Sequence, residues 1–425
     1  MRDWNPTRRT FVKGSAVAAV AGLELMTSAH AAGSDTLRVG LIGCGGRGTG
    51  AAEQALKADK NVKLVAVADA FKDRLLESLS HLNSPSSGVA SQVDVPSDRQ
   101  YVGFDGYKHV IDQVDVALLT TPPHFRPIHF GYAVNKGIHS FVEKPVATDA
   151  PGVRAFLEHL ETAKKKNLAV VSGLCWRYHT PRKETIKRVR EGAIGNVVAI
   201  QTTYNSNGVW EPRRTREECE SEMEYQMRNW YYYDWLCGDH IVEQAVHAID
   251  TMGWVMGDEA PERCWASGGR QVRTDAKYGN IYDHFSVVYE YPNGVKGFHN
   301  CRHWPGTDTE VLDYILGAKG TCDVFKHRIS GPDVKWRYRG PSNNMYQAEH
   351  DELFASIRAG KPINNGLYAA RSTLLAIMGR MAAYTGKVIT WDEALNSKED
   401  LSPAQYAWGD APRRPVPRPG FTKFV

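Results

Sequence analysis

The chain has 425 residues, too many for one simple hydrophobic core, so two domains plus short extras are expected. Hydrophobic residues make up 42% and charged residues 24%, the proportions of an ordinary globular protein, which exclude a disordered or fibrous chain. The formal net charge is +4, half of it carried by residues 1–31, and no basic stripe with interleaved aromatics occurs, so no nucleic-acid partner is expected. The seven cysteines (44, 175, 219, 237, 264, 301 and 322) contain no CxxC pair, which argues for buried or idle thiols rather than a disulfide framework or zinc site.

Residues 7–13 read Thr-Arg-Arg-Thr-Phe-Val-Lys and precede an apolar run to Met26, then Ala29-His30-Ala31. Twin arginines, a mild apolar stretch and a small-x-small site predict a twin-arginine export signal over residues 1–31, hence a periplasmic or otherwise exported protein. The competing reading, a first helix of the domain, is weakened by Gly14, Gly22 and an alanine-rich run with little to pack. The stretch is too short and weakly apolar to span a membrane, so no span is expected after signal cleavage. This route carries folded proteins, often with a cofactor already inserted.

Thr36 to Ile42 is an apolar, β-branched run suited to a buried parallel strand. It leads directly into Gly43-Cys44-Gly45-Gly46-Arg47-Gly48, a G-x-G-x-x-G turn opening the helical stretch Thr49 to Ala58. In such a turn Gly43 allows the tight bend, Gly45 the close approach of a pyrophosphate, and Gly48 tight helix–strand packing. The helix N-terminus offers free N–H groups and positive dipole to the phosphates. A second strand, Val62 to Ala68, ends at Asp69, twenty-one positions beyond Gly48. An acidic residue there accepts from ribose hydroxyls and repels a 2′-phosphate, so NAD is expected over NADP, with Lys72 and Arg74 leaving some room for the phosphorylated form.

A further strand, Val114 to Leu119, runs into Thr120-Thr121-Pro122-Pro123-His124, so Thr121, Pro122 and His124 are expected at the cofactor crevice; His124 reads equally as an ordinary loop histidine. After a helix around His129 to Lys136, the strand Ile138 to Val142 ends in Glu143-Lys144-Pro145. A lysine at that sheet edge, partly buried, is suited to exchange a proton with a substrate hydroxyl.

With the glycine turn, Asp69 and Glu143-Lys144-Pro145 in this order, the chain resembles the glucose–fructose oxidoreductase/inositol dehydrogenase (Gfo/Idh/MocA) family from about Leu37 to Trp391. The resemblance implies an α/β fold, an N-terminal Rossmann doubly wound parallel sheet followed by an α/β domain with a large open, mostly antiparallel sheet. It also implies a catalytic Lys144, a nicotinamide cofactor and assembly into homodimers or homotetramers. The expected divisions are a Rossmann domain over 36–175, a substrate and oligomerisation domain over 176–345, helices packing back on the Rossmann domain over 346–392, and a surface tail over 393–425.

The segment Trp235 to Gly257 is similar to the family's active-site helix. Asp239, Glu243 and His247 lie four apart, with Asp250 three further on, and on one α-helix they share a face. His247 matches the family's catalytic histidine, whereas Glu243 stands where family dehydrogenases commonly carry Asp. A substrate-facing stripe competes with three other readings: surface salt bridges, structural polar groups, or a metal site that lacks a second histidine at i+4; no metal is expected. Trp176-Arg177-Tyr178-His179, which follows the strand Ala169 to Gly173, is expected to line the substrate pocket by resemblance. Tyr225 to Trp235, with six aromatics in eleven residues and including Tyr233, suits stacking on a sugar ring or equally an aromatic core or interface.

Six second-domain strands are predicted at Val197 to Tyr204, Arg263 to Gly268, His284 to Tyr291, Val295 to Cys301, Leu312 to Gly317 and Thr321 to Val324, with a hairpin signal at Asn293-Gly294. Glu349 to Arg358 and Ala369 to Thr385 read as amphipathic helices. The expected activity is hydride transfer on a carbohydrate or polyol, with Lys144, His247 and Glu243 at the reacting carbon and tightly bound NAD reset within the site. The alternative, implied by the family's NAD-dependent α-N-acetylgalactosaminidase branch, is glycoside hydrolysis through transient oxidation. A non-catalytic sugar-binding protein is the third reading.

Overall fold

The computed structural model describes residues 35–425; the export signal expected over 1–31 lies outside the described residues. The first domain alternates strand and helix: β1 (Leu37–Ile42), α1 (Gly46–Ala58), β2 (Val62–Asp69), α2 (Lys72–Asn83), β3 (Gln100–Val102), α3 (Gly106–Ile111), β4 (Val116–Leu119), α4 (Arg126–Lys136), β5 (His139–Val142), α5 (Ala150–Lys165) and β6 (Val170–Ser172). Its parallel sheet has the order β3-β2-β1-β4-β5-β6. β4 and β5 are buried at every position, because helices cover both faces and leave no strand residue to face water. The winding direction reverses between β1 and β4, which opens a crevice at the strands' carboxyl ends.

The second domain contains α6 (Thr180–Arg190), β7 (Val197–Ser206), α7 (Glu222–Arg228), α8 (Asp234–Cys237), α9 (His240–Glu243), α10 (Val246–Val255), β8 (Arg263–Gly269), β9 (His284–Glu290), β10 (Lys296–His303), β11 (Glu310–Gly317), β12 (Gly320–Asp323), β13 (Arg328–Ser330) and β14 (Lys335–Arg337). After α11 (Met345–Arg358) and α12 (Gly366–Thr385), β15 (Ile389–Thr390) adds an edge strand and α13 (Trp391–Asn396) follows. The nine strands run β14-β13-β12-β11-β7-β10-β9-β8-β15, and within that sheet only β7 and β10 pair in parallel. The expected fold is thus present, and the six anticipated strands lie within two residues of their predicted ends.

Burial alternates along β9 and β10, as it must when one sheet face packs on helices and the other does not. The uncovered face presents Trp265, Phe298 and Leu316, each about two-fifths exposed. α12 differs from its expected amphipathic form. From Ala369 to Thr385 almost every side chain is buried, because the helix packs on α5 of the first domain as well as α10 and β8 of the second. α11 packs on α1. Among the described residues no helix is long and apolar enough to cross a membrane, and all seven cysteines are free thiols.

Residues 393–425, anticipated as a surface tail, are mostly exposed and are bonded to both domains. Leu401 is buried and its N–H donates to Asp149 Oδ2 at 2.9 Å; Tyr282 Oη donates to Pro417 O at 2.9 Å.

Several histidines are buried uncharged: burial holds His124 and His303 at about 4 and His129 and His299 at about 3. An unfolded histidine titrates near 6.5, so below that pH the unfolded chain binds more protons than the folded one. Stability is therefore expected to fall progressively from about pH 6.5 toward about pH 4, the histidines outweighing the buried Asp239 and Asp313 carboxyls, held at about 7 and about 6, which act in the opposite sense. Urea midpoints measured across that range check this, and a midpoint that stays constant contradicts it.

Candidate active site

A cleft of about 470 Å³ opens at the carboxyl ends of β1, β2, β4 and β5 and reaches the second domain. Gly43, Gly45, Gly46, Arg47 and Gly48 line it on one side, with Asp69, Thr121, Pro122, Glu143, Lys144, Glu243 and His247. The glycine turn is demanded by geometry. Gly43 has φ +98°, and a Cβ there would lie 2.6 Å from the Thr121 backbone nitrogen. A Cβ on Gly48 would lie 1.8 Å from Gly43 O, so α1 meets β1 too closely for any side chain. Above Gly45 and Gly46 the space is open to 4 Å, and the helix N-terminus leaves its first N–H groups without intrahelical acceptors.

Asp69 is fixed toward this turn. Its Oδ2 accepts from Cys44 N at 2.6 Å and Oδ1 from Phe71 N at 2.9 Å, which leaves each oxygen a lone pair for a hydroxyl donor. Burial raises its carboxyl above the usual range, partly offset by those two backbone bonds. Cys44 takes part only through its backbone; its thiol is buried against Ala68 O. An open cradle of glycine N–H groups beside a fixed carboxylate fits a nicotinamide dinucleotide, pyrophosphate over Gly45–Gly46 and adenosine ribose at Asp69.

Glu143 holds the turn from below. Its carboxylate accepts from Arg47 Nε at 2.5 Å and from Lys144 N at 3.0 Å. Burial by itself would raise this carboxyl, but Arg47, Arg126 and Lys144 hold it below its usual range. The fit depends on Gly173, where a Cβ would come within 2.6 Å of the carboxylate. Arg47 also donates to Glu349 Oε1 of α11 at 2.7 Å, which ties the cleft floor to the C-terminal helices.

Lys144 Nζ donates to Glu243 O at 2.5 Å and Glu243 Oε1 at 3.0 Å. His247, 8% exposed, lines the same cleft and stacks on Trp176 with centroids 5.2 Å apart. Its Nδ1 has no partner among the described residues. Burial, and then the charges of Lys144, Arg182 and Arg47, keep this imidazole well below its ordinary value, so it is neutral at pH 7. A lysine ammonium, a carboxylate and an uncharged imidazole thus meet where a dinucleotide's nicotinamide end would lie.

The single active-site helix expected from Trp235 to Gly257 is broken into α8, α9 and α10. Gly238 and Asp239 both have positive φ, and Gln244–Ala245 separates α9 from α10, so helical spacing does not put Asp239, Glu243 and His247 on one face. Asp239 is fully buried at the first break. It accepts from His240 N at 2.5 Å, from Tyr282 N at 2.7 Å and from Tyr384 Oη, and burial pushes it up to about 7. It is a structural corner outside the cleft lining.

Of the four residues expected from Trp176 to His179, only Trp176 adjoins the site. Arg177 points away, donating to Asp250 at 2.8 Å and Asp258 at 2.5 Å, under the Tyr368 ring. Asp250 is therefore an ion-pair partner and not part of a substrate stripe. Replacing Arg177 with Met strands a buried carboxylate and is expected to cost about 3–5 kcal/mol of stability. Urea unfolding tests this, with KM for substrate expected unchanged. Tyr178 is buried with its hydroxyl accepting from Asn365 Nδ2, and His179 bonds to Ser342 Oγ at 3.0 Å. Tyr233 is buried among aromatics, so most of the Tyr225–Trp235 segment is core. His124 is also outside the cleft: its buried ring bonds Tyr406 Oη at 2.8 Å through Nε2.

Sequence reasoning missed several cleft residues, namely Phe71, Phe104, Tyr107, Arg126, His129, Arg213, Gln244 and Tyr346, whereas Met227 and Trp230 belong to the aromatic segment it had singled out. Phe71 and Gln244 adjoin residues already singled out and were within reach of local reading. Arg213 comes from a second-domain loop, and no local pattern ties it to the dinucleotide turn.

Residues 37–174 match the model for an oxidoreductase family with an NAD-binding Rossmann fold, and residues 183–322 match the GFO/IDH/MocA C-terminal domain. The chain belongs to the Gfo/Idh/MocA family. It is an enzyme, a nicotinamide-dependent oxidoreductase. An inositol 2-dehydrogenase from Saccharopolyspora erythraea is 27% identical over 292 residues, covering 67% of this chain and 72% of that protein. A glycosyl hydrolase family 109 protein from Shewanella pealeana is 26% identical over 183 residues, 42% of this chain and 37% of that one. The solved aldose–aldose oxidoreductase of Caulobacter crescentus superimposes with a TM-score of 0.64 at 19% identity, over 84% of this chain and 99% of that chain. That last likeness supports the shared fold.

Proposed function

We propose that the protein oxidises a hydroxyl-bearing carbon of a sugar or cyclic polyol with a dinucleotide held through turnover. The observation that carries this reading is Lys144 Nζ seated on Glu243 beside an uncharged His247, in one cleft with the glycine turn. When bound, the nicotinamide ring supplies the hydride acceptor. The neutral His247 imidazole accepts the hydroxyl proton, and Lys144 Nζ donates to the oxygen as negative charge builds on it. Glu243 fixes the direction of the ammonium, and Trp176 holds the imidazole plane. Asp69 at the ribose position favours NAD over NADP, while Arg74 and Arg213 at the same end of the cleft give the phosphorylated form some purchase.

The twin-arginine pattern at residues 7–13 supports export through that route. Outside the cytoplasm no pool of free dinucleotide would recycle the cofactor, so it is reset in the site by a second substrate. The outward Trp265, Phe298 and Leu316 on the uncovered sheet face suit a second copy of the chain, giving a homodimer or homotetramer.

A second reading, glycoside hydrolysis by transient oxidation, elimination and re-reduction, draws on Glu243 in place of Asp and on the family 109 relative. Purified protein assayed for bound dinucleotide by absorbance and mass, then given free sugars, polyols and aryl glycosides separately, tests both. Stoichiometric reduction with free sugar or polyol and no glycoside cleavage supports oxidoreduction. Multiple-turnover cleavage without net reduction supports the hydrolase. No dinucleotide bound or taken up removes both.

A further inference from the structure

Three strands of the Rossmann sheet, β3 beside β2 and β4 on the other side of β1, end in loops that each place a phenylalanine in the cleft: Phe71 after β2, Phe104 after β3 and Phe125 after β4. In the order β3-β2-β1-β4-β5, Phe71 and Phe104 belong to the half containing Asp69, away from Lys144 at the end of β5. These rings lean on residues near the far end of the chain. Trp408 lies 4.8 Å from Phe104 and 5.4 Å from Phe71, and Tyr406 lies 5.8 Å from Phe125, centroid to centroid. From the second domain, the Arg228 guanidinium sits 3.7 Å from the Phe71 ring centre and is fixed by Asp73 at 2.6 Å.

The segment carrying Tyr406 and Trp408 is tied down on both domains. On the first, Leu401 N donates to Asp149 and Tyr406 Oη meets His124 Nε2 at 2.8 Å. On the second, Gly409 O accepts from Met223 N and Pro412 O from Gln226 Nε2, each at 2.9 Å. Trp408 itself remains 46% exposed, so it adds little to the core, yet the two rings it touches line the cleft.

We infer that residues 401–412 form a strap that sets the adenosine half of the cleft, with Trp408 and Tyr406 as positioning residues that slow dinucleotide release. Rings already held in place need no ordering when ligand binds, and departure then requires the braced wall to loosen. The effect falls mainly on the dissociation rate. The inference deepens the proposed function and rests on its reading that the dinucleotide stays bound through turnover.

The test uses full-length protein, wild type, Trp408→Ala and Trp408→Phe, loaded with NADH and chased with excess NAD while NADH fluorescence is followed. Trp408→Ala is expected to release NADH about tenfold faster, the scale of losing one or two aromatic contacts. Its Kd should rise in step, with the unfolding midpoint of the dinucleotide-free protein unchanged and Trp408→Phe close to wild type. Release at the wild-type rate from Trp408→Ala overturns the inference, as does a lowered midpoint without faster release. Should Trp408→Ala fail to fold, Tyr406→Phe removes the hydroxyl that meets His124 and keeps the ring, and unchanged release from that variant overturns it equally. If the wild type itself exchanges NADH within seconds, retention through turnover is refuted, and the strap stands or falls on the ratio of variant to wild-type rates alone.

Discussion

Replacing Lys144 with alanine is expected to lower kcat/KM by about 10²–10³, the usual range for removing a donor aimed at a developing oxyanion. The Nζ group is held by the carbonyl and carboxylate of Glu243 and shares the cleft with His247, so no neighbouring amine can take over its place. Arginine is expected to rescue little, since its planar guanidinium is too broad for the seat on Glu243. The dinucleotide content of the purified variant should match the wild type, because the phosphate cradle lies on β1 and α1 rather than β5. Steady-state kinetics with a bound-cofactor assay measures both. Full activity from Lys144→Ala removes both the oxidoreductase and the hydrolase schemes.

Gly48→Ala is expected to have the other large effect. The new Cβ would stand 1.8 Å from Gly43 O and 2.7 Å from Thr120 Oγ1. The first of these is backbone, and it cannot turn aside as a side chain would. α1 must therefore move off β1, at a cost of about 2–3 kcal/mol of stability. The same movement spoils the alignment of the N–H groups that face the phosphates, and dinucleotide affinity should fall about 100-fold or more, the loss of two charge-assisted hydrogen bonds. Gly46→Ala separates the two effects. Its Cβ meets nothing within 4 Å, so stability should be retained while the space over the turn narrows and affinity still falls. Calorimetry and dinucleotide titration on the pair check this; equal behaviour of the two variants contradicts it.

The dinucleotide half of the site was legible because its signals are local. A glycine such as Gly48, whose Cβ would strike the turn just before it, or an acidic residue at the end of β2, is dictated by backbone within one βαβ unit, and spacing along the chain preserves it. Lys144 and His247 were legible through the family's motifs, and the structure brings them into one cleft. Reading stopped where residues were judged by proximity in sequence. Trp176 and Arg177 are adjacent, yet one stacks on His247 and the other is buried against Asp250 and Asp258. Asp239 and Glu243 are four apart, but the positive φ at Gly238 and Asp239 begins the short helix between them and turns Asp239 toward Tyr384.

The sequence by itself therefore determined the Rossmann unit, the positions of six of the nine second-domain strands and the glycines of the phosphate cradle, because each follows from backbone periodicity or from steric demands within a few positions. Tertiary structure alone decided which polar side chains face the cleft and which are structural ion pairs. It alone buried α12 on nearly every side, and it alone brought Tyr406 and Trp408 against loops some 300 residues earlier. The physical reason is that side-chain direction at a break between helices, and the docking of an irregular segment, depend on packing partners distant in the chain, and no local pattern encodes them.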